Sequence, residues 1–198
     1  MGAVRITGIV ASPRKNKNSD TLVQKVLDGC KNQGALIDKI YLKDLEISPC
    51  KAHKTQDGKG CVLHDGMDII YKVFEDTDGL VLGTPVYYNS VAAQMKLMID
   101  RSYCLATAEA VGPGKRRYVT TVTKRKKGIV VSVGGSGINP DCVLPIFDIW
   151  SKEVNLDIID NLCVSEGQLG ILPMESEIIL ERAFQCGKNL MKQLSGNG

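Results

Sequence analysis

The segment 12–21, Ser-Pro-Arg-Lys-Asn-Lys-Asn-Ser-Asp-Thr, carries side chains suited to binding an anion. It joins a predicted strand to a predicted helix and offers hydroxyl, amide and guanidinium groups from Ser12, Arg14, Asn18, Ser19 and Thr21. Free N–H groups and the dipole at a helix N-terminus favour negative charge, and arginine adds a bidentate donor for phosphate. Asp20 weighs against phosphate because its carboxylate would lie close by. We predict phosphate binding, with a solvated loop capped by Ser19 as the alternative.

A second group of candidate residues follows the apolar run Leu80-Val81-Leu82. This run is short enough for a strand that is buried on both faces, and Thr84-Pro85 is predicted to end it because proline cannot donate to a sheet ladder. The turn from Pro85 to Ser90 contains two tyrosines and an amide. Its main-chain groups could reach the edge of a flat heterocycle, with the tyrosines packed beside the ring. The alternative is a tight turn whose aromatic residues cap the core.

A third group is Gly134-Gly-Ser-Gly137, directly after the predicted strand Ile129–Val133. Glycines permit a close approach between the backbone and a ligand. The G-x-G-x-x-G pattern of dinucleotide-binding loops is absent from the first loop. Since all three loops leave the carboxyl ends of predicted strands, they converge on one edge of the sheet. Together they predict a site for a mononucleotide with a planar ring.

The elements that must position these loops alternate between strand and helix. The predicted strands are 5–10, 35–41, 80–82, 129–133 and 156–162. The predicted helices are 19–33, 68–75, a helix that begins near Val91, 140–154 and 175–194. Short buried strands that alternate with helices predict an α/β fold with a five-stranded, doubly wound parallel sheet. We expect one domain over 1–198, with an irregular insert at 45–66 and a basic loop at 112–127.

The composition of the chain argues against several classes of protein. The 198 residues are 43% hydrophobic and 24% charged, with a formal net charge of +3. The charge is too small to indicate a nucleic-acid partner, and no apolar run approaches the roughly 20 residues of a membrane span. The seven cysteines are dispersed, which is not typical of a disulfide framework. The start lacks a secretory pattern, so we expect a cytoplasmic protein with neither a nucleic-acid nor a membrane partner.

Three motifs resemble the NAD(P)H-dependent FMN reductase family, and in particular its iron–sulfur flavoproteins and multimeric flavodoxins. They are Ser12-x-Arg14…Asn18-Ser19, Thr84-Pro-Val-Tyr-Tyr-Asn89 and Lys96-x-x-x-Asp100-Arg101. The resemblance covers nearly the whole chain. It implies a flavodoxin-like sheet with strand order 2-1-3-4-5 and non-covalent FMN at the strand ends.

The resemblance also assigns residues to the two parts of FMN. The phosphate would be held by Ser12, Arg14, Asn18 and Ser19. The isoalloxazine ring would be lined by Pro85, Val86, Tyr87, Tyr88, Asn89, Gly134, Gly135 and Ser136. The family's usual Gly-Asn-Thr in the first loop is Lys17-Asn18-Ser19 here, which changes the geometry of the loop but keeps its chemistry.

The sequence departs from the iron–sulfur flavoproteins in the insert. Those proteins carry a compact run of four cysteines, whereas this chain keeps only Cys50 and Cys61. His53 and Gln56 stand where the middle two cysteines are expected. Four thiolates are the normal ligands of a [4Fe–4S] cluster, and glutamine is a poor iron ligand. We therefore predict that the iron–sulfur cluster is absent.

The same segment leaves two alternatives open. Cys50-x-x-His53 and Cys61-x-x-His64 supply two thiols and two imidazoles, a ligand set that suits tetrahedral zinc. A redox disulfide between Cys50 and Cys61 is the other alternative. We favour a loop that has lost its cluster and now serves as a lid or substrate wall, and we predict no metal site.

The basic segment contains Lys115-Arg-Arg117 and Lys124-Arg-Lys-Lys127. Such runs usually form solvated loops; the functional alternative is attraction of an anion such as the phosphates of NADPH or an acidic substrate. In the resembled family this connection lies near the flavin, often at a subunit interface. Tyr118 could then cover the ring.

These observations predict an FMN-dependent oxidoreductase in which NAD(P)H reduces bound FMN, and FMN passes electrons to a small acceptor. The acceptor would be a quinone, a free flavin, an azo or nitro compound or another metabolite. We name no catalytic side chain because the cofactor performs the chemistry. The resemblance implies a homo-oligomer, a dimer or a tetramer. The alternatives are a flavin electron carrier without its own substrate, and a metal- or redox-responsive flavoprotein that uses the segment from Cys50 to His64.

Overall fold

The computed structural model describes residues 2–58, 60–166 and 172–196. The described strands are β1 (Arg5–Val10), β2 (Leu36–Tyr41), β3 (Gly79–Tyr87), β4 (Ser90–Val91), β5 (Ala106–Gly112), β6 (Lys115–Thr120), β7 (Lys126–Gly134) and β8 (Leu156–Ser165). The described helices are α1 (Asn18–Asn32), α2 (Met67–Asp76), α3 (Ala93–Arg101), α4 (Leu144–Glu153) and α5 (Glu177–Ser195).

Five parallel strands form the main sheet in the order β2-β1-β3-β7-β8. Numbered along the chain as predicted from the sequence, this order is 2-1-3-4-5. The prediction of a flavodoxin-like, doubly wound sheet is confirmed. Because all five strands run in the same direction, the loops that follow β1, β3 and β7 leave one edge of the sheet.

Two apolar layers cover the faces of this sheet. Alternate residues of β3 divide between them, with Leu80 and Leu82 in one layer and Val81 in the other. The first layer contains residues of α2, α3 and α4, and the second contains residues of α1 and α5. The strands are therefore buried on both faces, which explains their short, continuous apolar runs.

Helices α1 and α5 cross at a very short distance through two glycines. A Cβ atom added at Gly187 would lie 2.0 Å from the carbonyl oxygen of Val26, and one at Gly29 would lie 2.1 Å from that of Phe184. Both contacts involve backbone atoms, which cannot rotate away. The second layer is therefore set by backbone contact between α1 and α5.

Replacement of Gly187 with alanine is expected to lower the free energy of unfolding by about 1–2 kcal/mol. Overpacking costs about 1–3 kcal/mol, and the better helix propensity of alanine offsets up to about 1 kcal/mol of that. Urea unfolding followed by circular dichroism measures the change. Gly60→Ala is the matched control, because its Cβ would meet only Thr55 at 3.5 Å. Equal stability of the two variants would contradict a tight crossing.

The end of β3 differs from the sequence prediction, because the strand continues through Pro85 to Tyr87. Strand β1 pairs with β3 only as far as Gly83, while β7 pairs with β3 as far as Pro85. The N–H of Ala11 donates to the carbonyl oxygen of Gly83 at 2.8 Å, so Gly83 faces β1. Pro85, two residues on, faces the same side. The N–H that proline lacks would point beyond the end of β1, so no ladder bond is lost.

The basic segment is also more ordered than predicted. Strands β5 and β6 form an antiparallel hairpin, a second sheet of its own, where the sequence predicted a basic loop over 112–127. Gly112 and Gly114 have φ values of 153° and 67°, which allow the chain to reverse between the strands. The sequence of β5, Ala-Thr-Ala-Glu-Ala-Val-Gly, has weak strand propensity, and tertiary pairing overrides it. On the hairpin, Arg117 pairs with Glu109 at 2.9 Å.

The insert at 45–66 contains no helix or strand among its described residues beyond the isolated bridge between Lys54 and Cys61. None of the helices in the described part of the chain has the length and apolar character to cross a membrane.

Candidate functional site

A cavity of about 280 Å³ opens where β1, β3, β7 and β8 end. Its lining consists of Ser12, Arg14, Lys17, Asn18, Ser19, Pro85, Val86, Tyr87, Val133, Gly135, Ile138 and Glu166. Eight residues predicted from the sequence are among them: Ser12, Arg14, Asn18, Ser19, Pro85, Val86, Tyr87 and Gly135. The other four, Tyr88, Asn89, Gly134 and Ser136, lie within two positions of a lining residue along the chain. The three predicted loops therefore meet at one site.

One end of the cavity is the N-terminus of α1. The residue before the helix, Lys17, forms no capping hydrogen bond with its side chain. The first N–H groups of the helix, starting with Asn18 and Ser19, therefore lack helical acceptors and face the loop. Ser12 fixes this loop, because its hydroxyl accepts from the N–H of Arg14 at 3.2 Å and donates to the Arg14 carbonyl at 3.1 Å. This end can bind an anion through main-chain groups and the helix dipole.

The charges around this end favour an anion. Within the described residues, neither Arg14 nor Lys17 forms an ion pair. The Asp20 carboxylate accepts from the N–H of Asn16 at 2.7 Å, from Lys39 at 2.9 Å and from the Tyr41 hydroxyl at 3.1 Å. These three donors compensate its charge. The sequence analysis counted the Asp20 carboxylate against phosphate binding, and this objection no longer applies because Asp20 already has its own donors.

Asn18 connects three parts of the site. Its amide nitrogen donates to the Glu166 carboxylate at 2.7 Å, and its amide oxygen accepts from the N–H of Met174 at 3.2 Å. The side chain thus joins the start of α1 to the end of β8 and to the segment before α5. Both polar atoms of the amide are engaged, so Asn18 can offer a phosphate its backbone N–H.

Glu166 lines the cavity and was missed by the sequence analysis, as were Lys17, Val133 and Ile138. The predicted fifth strand ended at Leu162, whereas β8 continues to Ser165. A longer strand would have placed Glu166 at the same edge as the other loops. The N–H of Glu166 donates to the Gly134 carbonyl at 2.9 Å, which fixes the main chain there.

The other end of the cavity is apolar and rigid. Pro85, Val86 and Tyr87 form one wall. Val133, near the end of the neighbouring strand β7, and Ile138, in the loop after β7, complete the apolar lining. The buried hydroxyl of Thr84 accepts from the N–H of Ala92 at 3.0 Å and donates to the Pro85 carbonyl at 2.9 Å. The hydrogen bond between Ala92 and Thr84 closes the bend between β3 and α3. A flat apolar group would fit between walls that do not have to rearrange.

The last residue of β7, Gly134, and the first residue after it, Gly135, have different surroundings. A Cβ on Gly134 would lie 2.8 Å from the Ile138 carbonyl oxygen, so Gly134 is needed for the turn itself. A Cβ on Gly135 would meet no atom closer than 3.9 Å, and Gly135 lines the cavity. Gly135 therefore leaves room for the close approach between backbone and ligand that the sequence predicted for this loop.

The donor set as a whole fits FMN. Hydroxyl, guanidinium, ammonium and helix N–H groups lie at one end for a phosphate, and apolar walls with exposed main chain lie at the other for a ring. Among the described residues of the lining, Glu166 is the one that carries a carboxylate. Two cations, Arg14 and Lys17, are also in the lining, so these residues carry a net positive charge.

The segment from Cys50 to His64 does not form a metal site in the described residues. No group of three or more His, Cys, Asp or Glu side chains lies close enough to hold an ion there. All seven cysteines are free thiols, and Cys50 is exposed. His64 lies 3.4 Å from Asp68 and is 83% exposed. The geometry gives no support to the zinc alternative or to a formed disulfide between Cys50 and Cys61, and the absence of an iron–sulfur cluster stays a prediction.

The buried side chain of Arg101 holds this insert against α3. Its guanidinium forms an ion pair with Asp65 at 2.7 Å and donates to the Ser48 carbonyl at 2.9 Å. The other terminal nitrogen lies 3.6 Å from the Cys61 sulfur. The guanidinium therefore binds both ends of the insert, which the sequence analysis did not foresee.

Stability is expected to fall at acid pH because of Asp65. Burial alone would raise the pKa of Asp65, but hydrogen bonds from Arg101 and from the N–H groups of Ser48 and Met67 lower that pKa to about 2. A lowered pKa stabilises the fold above pH 4, and this contribution is lost as the pH falls from about 4 to 2. Between pH 5 and pH 2, the unaltered protein should lose about 2 kcal/mol more than Asp65→Asn in urea unfolding. Equal losses would show that Asp65 is not responsible.

The parallel sheet with helices on both faces and a cavity at its strand ends defines a flavodoxin-like α/β protein. The sequence model of the NADPH-dependent FMN reductase family matches residues 4–143, and the chain belongs to that family. It is 35% identical over 134 residues to an iron–sulfur flavoprotein from Methanosarcina thermophila. That match covers 67% of this chain and 64% of the relative, so the chain spans less than two thirds of the relative's length.

Two solved structures illustrate the fold at low sequence identity. RosB, with a bound 8-demethyl-8-formylriboflavin-5′-phosphate, has a TM-score of 0.72 and 11% identity, over 98% of this chain and 79% of that one. An NAD(P)H:quinone oxidoreductase from Methanothermobacter marburgensis has a TM-score of 0.68 and 15% identity, over 96% and 98% of the two chains. At these identities the likeness concerns the fold.

Proposed function

We propose that this protein is an FMN-dependent oxidoreductase that takes electrons from NAD(P)H and delivers them to a small acceptor. The observation that carries the proposal is the cavity at the strand ends, with an anion-binding end and a flat apolar end, in a chain of the FMN reductase family. The flavin phosphate held by RosB and the quinone acceptor in the name of the second neighbour support it by analogy of fold.

The chain's own residues would hold and orient the cofactor. The first N–H groups of α1 and the side chains of Arg14 and Ser19 would bind the phosphate, and Ser12 would fix the loop that carries Arg14. The wall from Pro85 to Tyr87 and the main chain at Gly135 would enclose the ring. Bound FMN would supply the hydride and electron-transfer chemistry. Neither histidine lines the cavity, so no imidazole is placed for proton transfer at this site.

Several finer points belong to the same proposal. The acceptor is a quinone, a free flavin or another small metabolite that takes two electrons, because the predicted loss of the cluster removes a one-electron relay. The protein works as a homo-oligomer in the cytoplasm.

The hairpin β5–β6, with Lys115, Arg116 and Arg117, attracts the phosphates of the nicotinamide nucleotide.

Absorbance spectroscopy of the purified protein with added FMN tests the proposal. We expect bound flavin bands near about 370 and 450 nm, and bleaching of the 450 nm band when NADPH or NADH is added without oxygen. Iron analysis of the same sample should find none. A protein that binds no FMN would overturn the proposal. Bound FMN that neither nucleotide reduces would indicate the electron-carrier alternative.

A further inference from the structure

Tyr88 is held at the end of the hairpin β3–β4 without any packing of its ring. Val86 pairs with Val91, and Tyr87 pairs with Ser90, which leaves Tyr88 and Asn89 as the turn. The relative exposure of Tyr88 is 105%, so its side chain is fully in solvent. The hydrogen bond that the N–H of Ala92 donates to the Thr84 hydroxyl fixes the base of the same hairpin. The backbone that carries this large aromatic ring is therefore fixed, and the ring itself is presented to solvent.

The backbone of this turn disfavours tyrosine. Tyr88 and Asn89 have φ values of 50° and 56°, the left-handed pair of a type I′ turn. Such turns select asparagine, aspartate or glycine, and a bulky residue with positive φ is an outlier. Strained backbone of this kind clusters at ligand-binding sites. Neither turn preference nor packing in the described chain accounts for an aromatic residue here.

The position of the turn relates Tyr88 to the cavity. The preceding residue, Tyr87, is in the lining and is itself 42% exposed, whereas Tyr88 is outside the lining. The ring is thus carried at the rim, on the same rigid bend that forms the apolar wall. A ligand inside the cavity would be enclosed by Pro85, Val86 and Tyr87, and Tyr88 remains available to a second molecule.

We propose that Tyr88 is a specificity-determining residue that stacks against a flat aromatic acceptor at the rim of the cavity. The inference rests on the proposed function, since the acceptor must reach FMN bound in that cavity. An exposed aromatic ring attracts another ring through stacking and burial of apolar area, and it offers little to a compact inorganic ion. Tyr88 therefore selects acceptors by shape, while the residues of the lining bind the cofactor.

The test compares Tyr88→Asn with Tyr88→Phe, which keeps the ring. The dissociation constant of 2-methyl-1,4-naphthoquinone for the oxidised FMN-bound protein is measured by titration, without a reductant. Tyr88→Asn is expected to raise this constant about fivefold, and Tyr88→Phe to leave it unchanged. With NAD(P)H present, the KM for the quinone should rise similarly, and the KM for ferricyanide should not.

Two further readouts separate stacking from a structural role. Tyr88→Asn should raise the melting temperature by about 2–4 °C because asparagine suits the turn, and the FMN dissociation constant should stay unchanged. Tyr103→Asn, which removes a 44% exposed ring outside the lining of the cavity, is the matched control and should change neither constant.

The outcomes distinguish the two proposals. Normal FMN binding with an unchanged quinone constant in Tyr88→Asn overturns the inference and leaves the proposed function standing. A quinone effect of similar size in Tyr103→Asn would show that loss of an exposed ring elsewhere has the same consequence, and would overturn the role of Tyr88. Dissociation of an oligomer by Tyr88→Asn, with an unchanged quinone constant, would make Tyr88 an interface residue. Failure of the unaltered protein to bind FMN would end both proposals.

Discussion

Reversal of charge in Arg14→Glu is expected to weaken FMN binding on the order of 100-fold, while riboflavin binding stays nearly unchanged. Arg14 is a cation in the cavity lining without an ion pair among the described residues. The variant loses its charge-assisted hydrogen bonds to phosphate and adds a second carboxylate beside Glu166. Riboflavin has the same ring and no phosphate, so it reports on the apolar end alone. Quenching of flavin fluorescence measures both dissociation constants.

Lys15→Glu is the matched control for this prediction. Lys15 is the next residue along the same loop, and its replacement with glutamate changes the net charge by the same amount. Lys15, however, pairs with Asp44 at 2.7 Å and is not in the lining of the cavity. A loss in Lys15→Glu as large as that in Arg14→Glu would mean that the general field of the loop attracts FMN. Equal losses for FMN and riboflavin would place Arg14 away from the phosphate.

Arg101→Met is expected to lower the free energy of unfolding by about 3–5 kcal/mol, because it leaves the carboxylate of Asp65 without its partner. The arginine side chain is fully buried and that of Asp65 is 14% exposed. Loss of the guanidinium also frees the Ser48 carbonyl. Urea unfolding at neutral pH measures the change, and limited proteolysis should cut the insert at 45–66 faster in the variant.

Two comparisons show whether the ion pair is responsible. Lys96→Met removes an exposed pair with Asp100, also on α3, and should cost less than about 0.5 kcal/mol. The double variant with Arg101→Met and Asp65→Asn should recover part of the loss, since no uncompensated carboxylate remains. A double variant as unstable as the sum of the two single ones would argue against coupling between the two side chains.

The sequence predicted the fold because each of its local patterns agreed with the same architecture. Short apolar runs such as Leu80-Val81-Leu82 alternate with amphipathic helices, and such an alternation has few stable solutions other than a parallel sheet. The loops after three strands then had to meet at one edge. Ser12, Arg14, Pro85 and Gly135, which follow three different strands, accordingly line one cavity.

What the sequence missed depends on contacts between distant residues. Pro85 stays in a strand because β1 has already ended beside it. The residues around Pro85 contain no information about where β1 ends. Strand β5 has weak propensity and forms because β6 pairs with it. Glu166 reaches Asn18 across 148 positions of the chain.

The sequence by itself determined the alternation of strands and helices, the edge at which the loops converge and the chemistry of the two ends of the cavity, since these follow from local periodicity and residue type. The order of strands in the sheet came from the resemblance to the FMN reductase family. Only the tertiary structure decided the partners of Asn18, Asp20 and Arg101 and the full exposure of Tyr88. The reason is physical: a carboxylate or guanidinium has many possible partners in a chain, and long-range packing selects the one that compensates its charge.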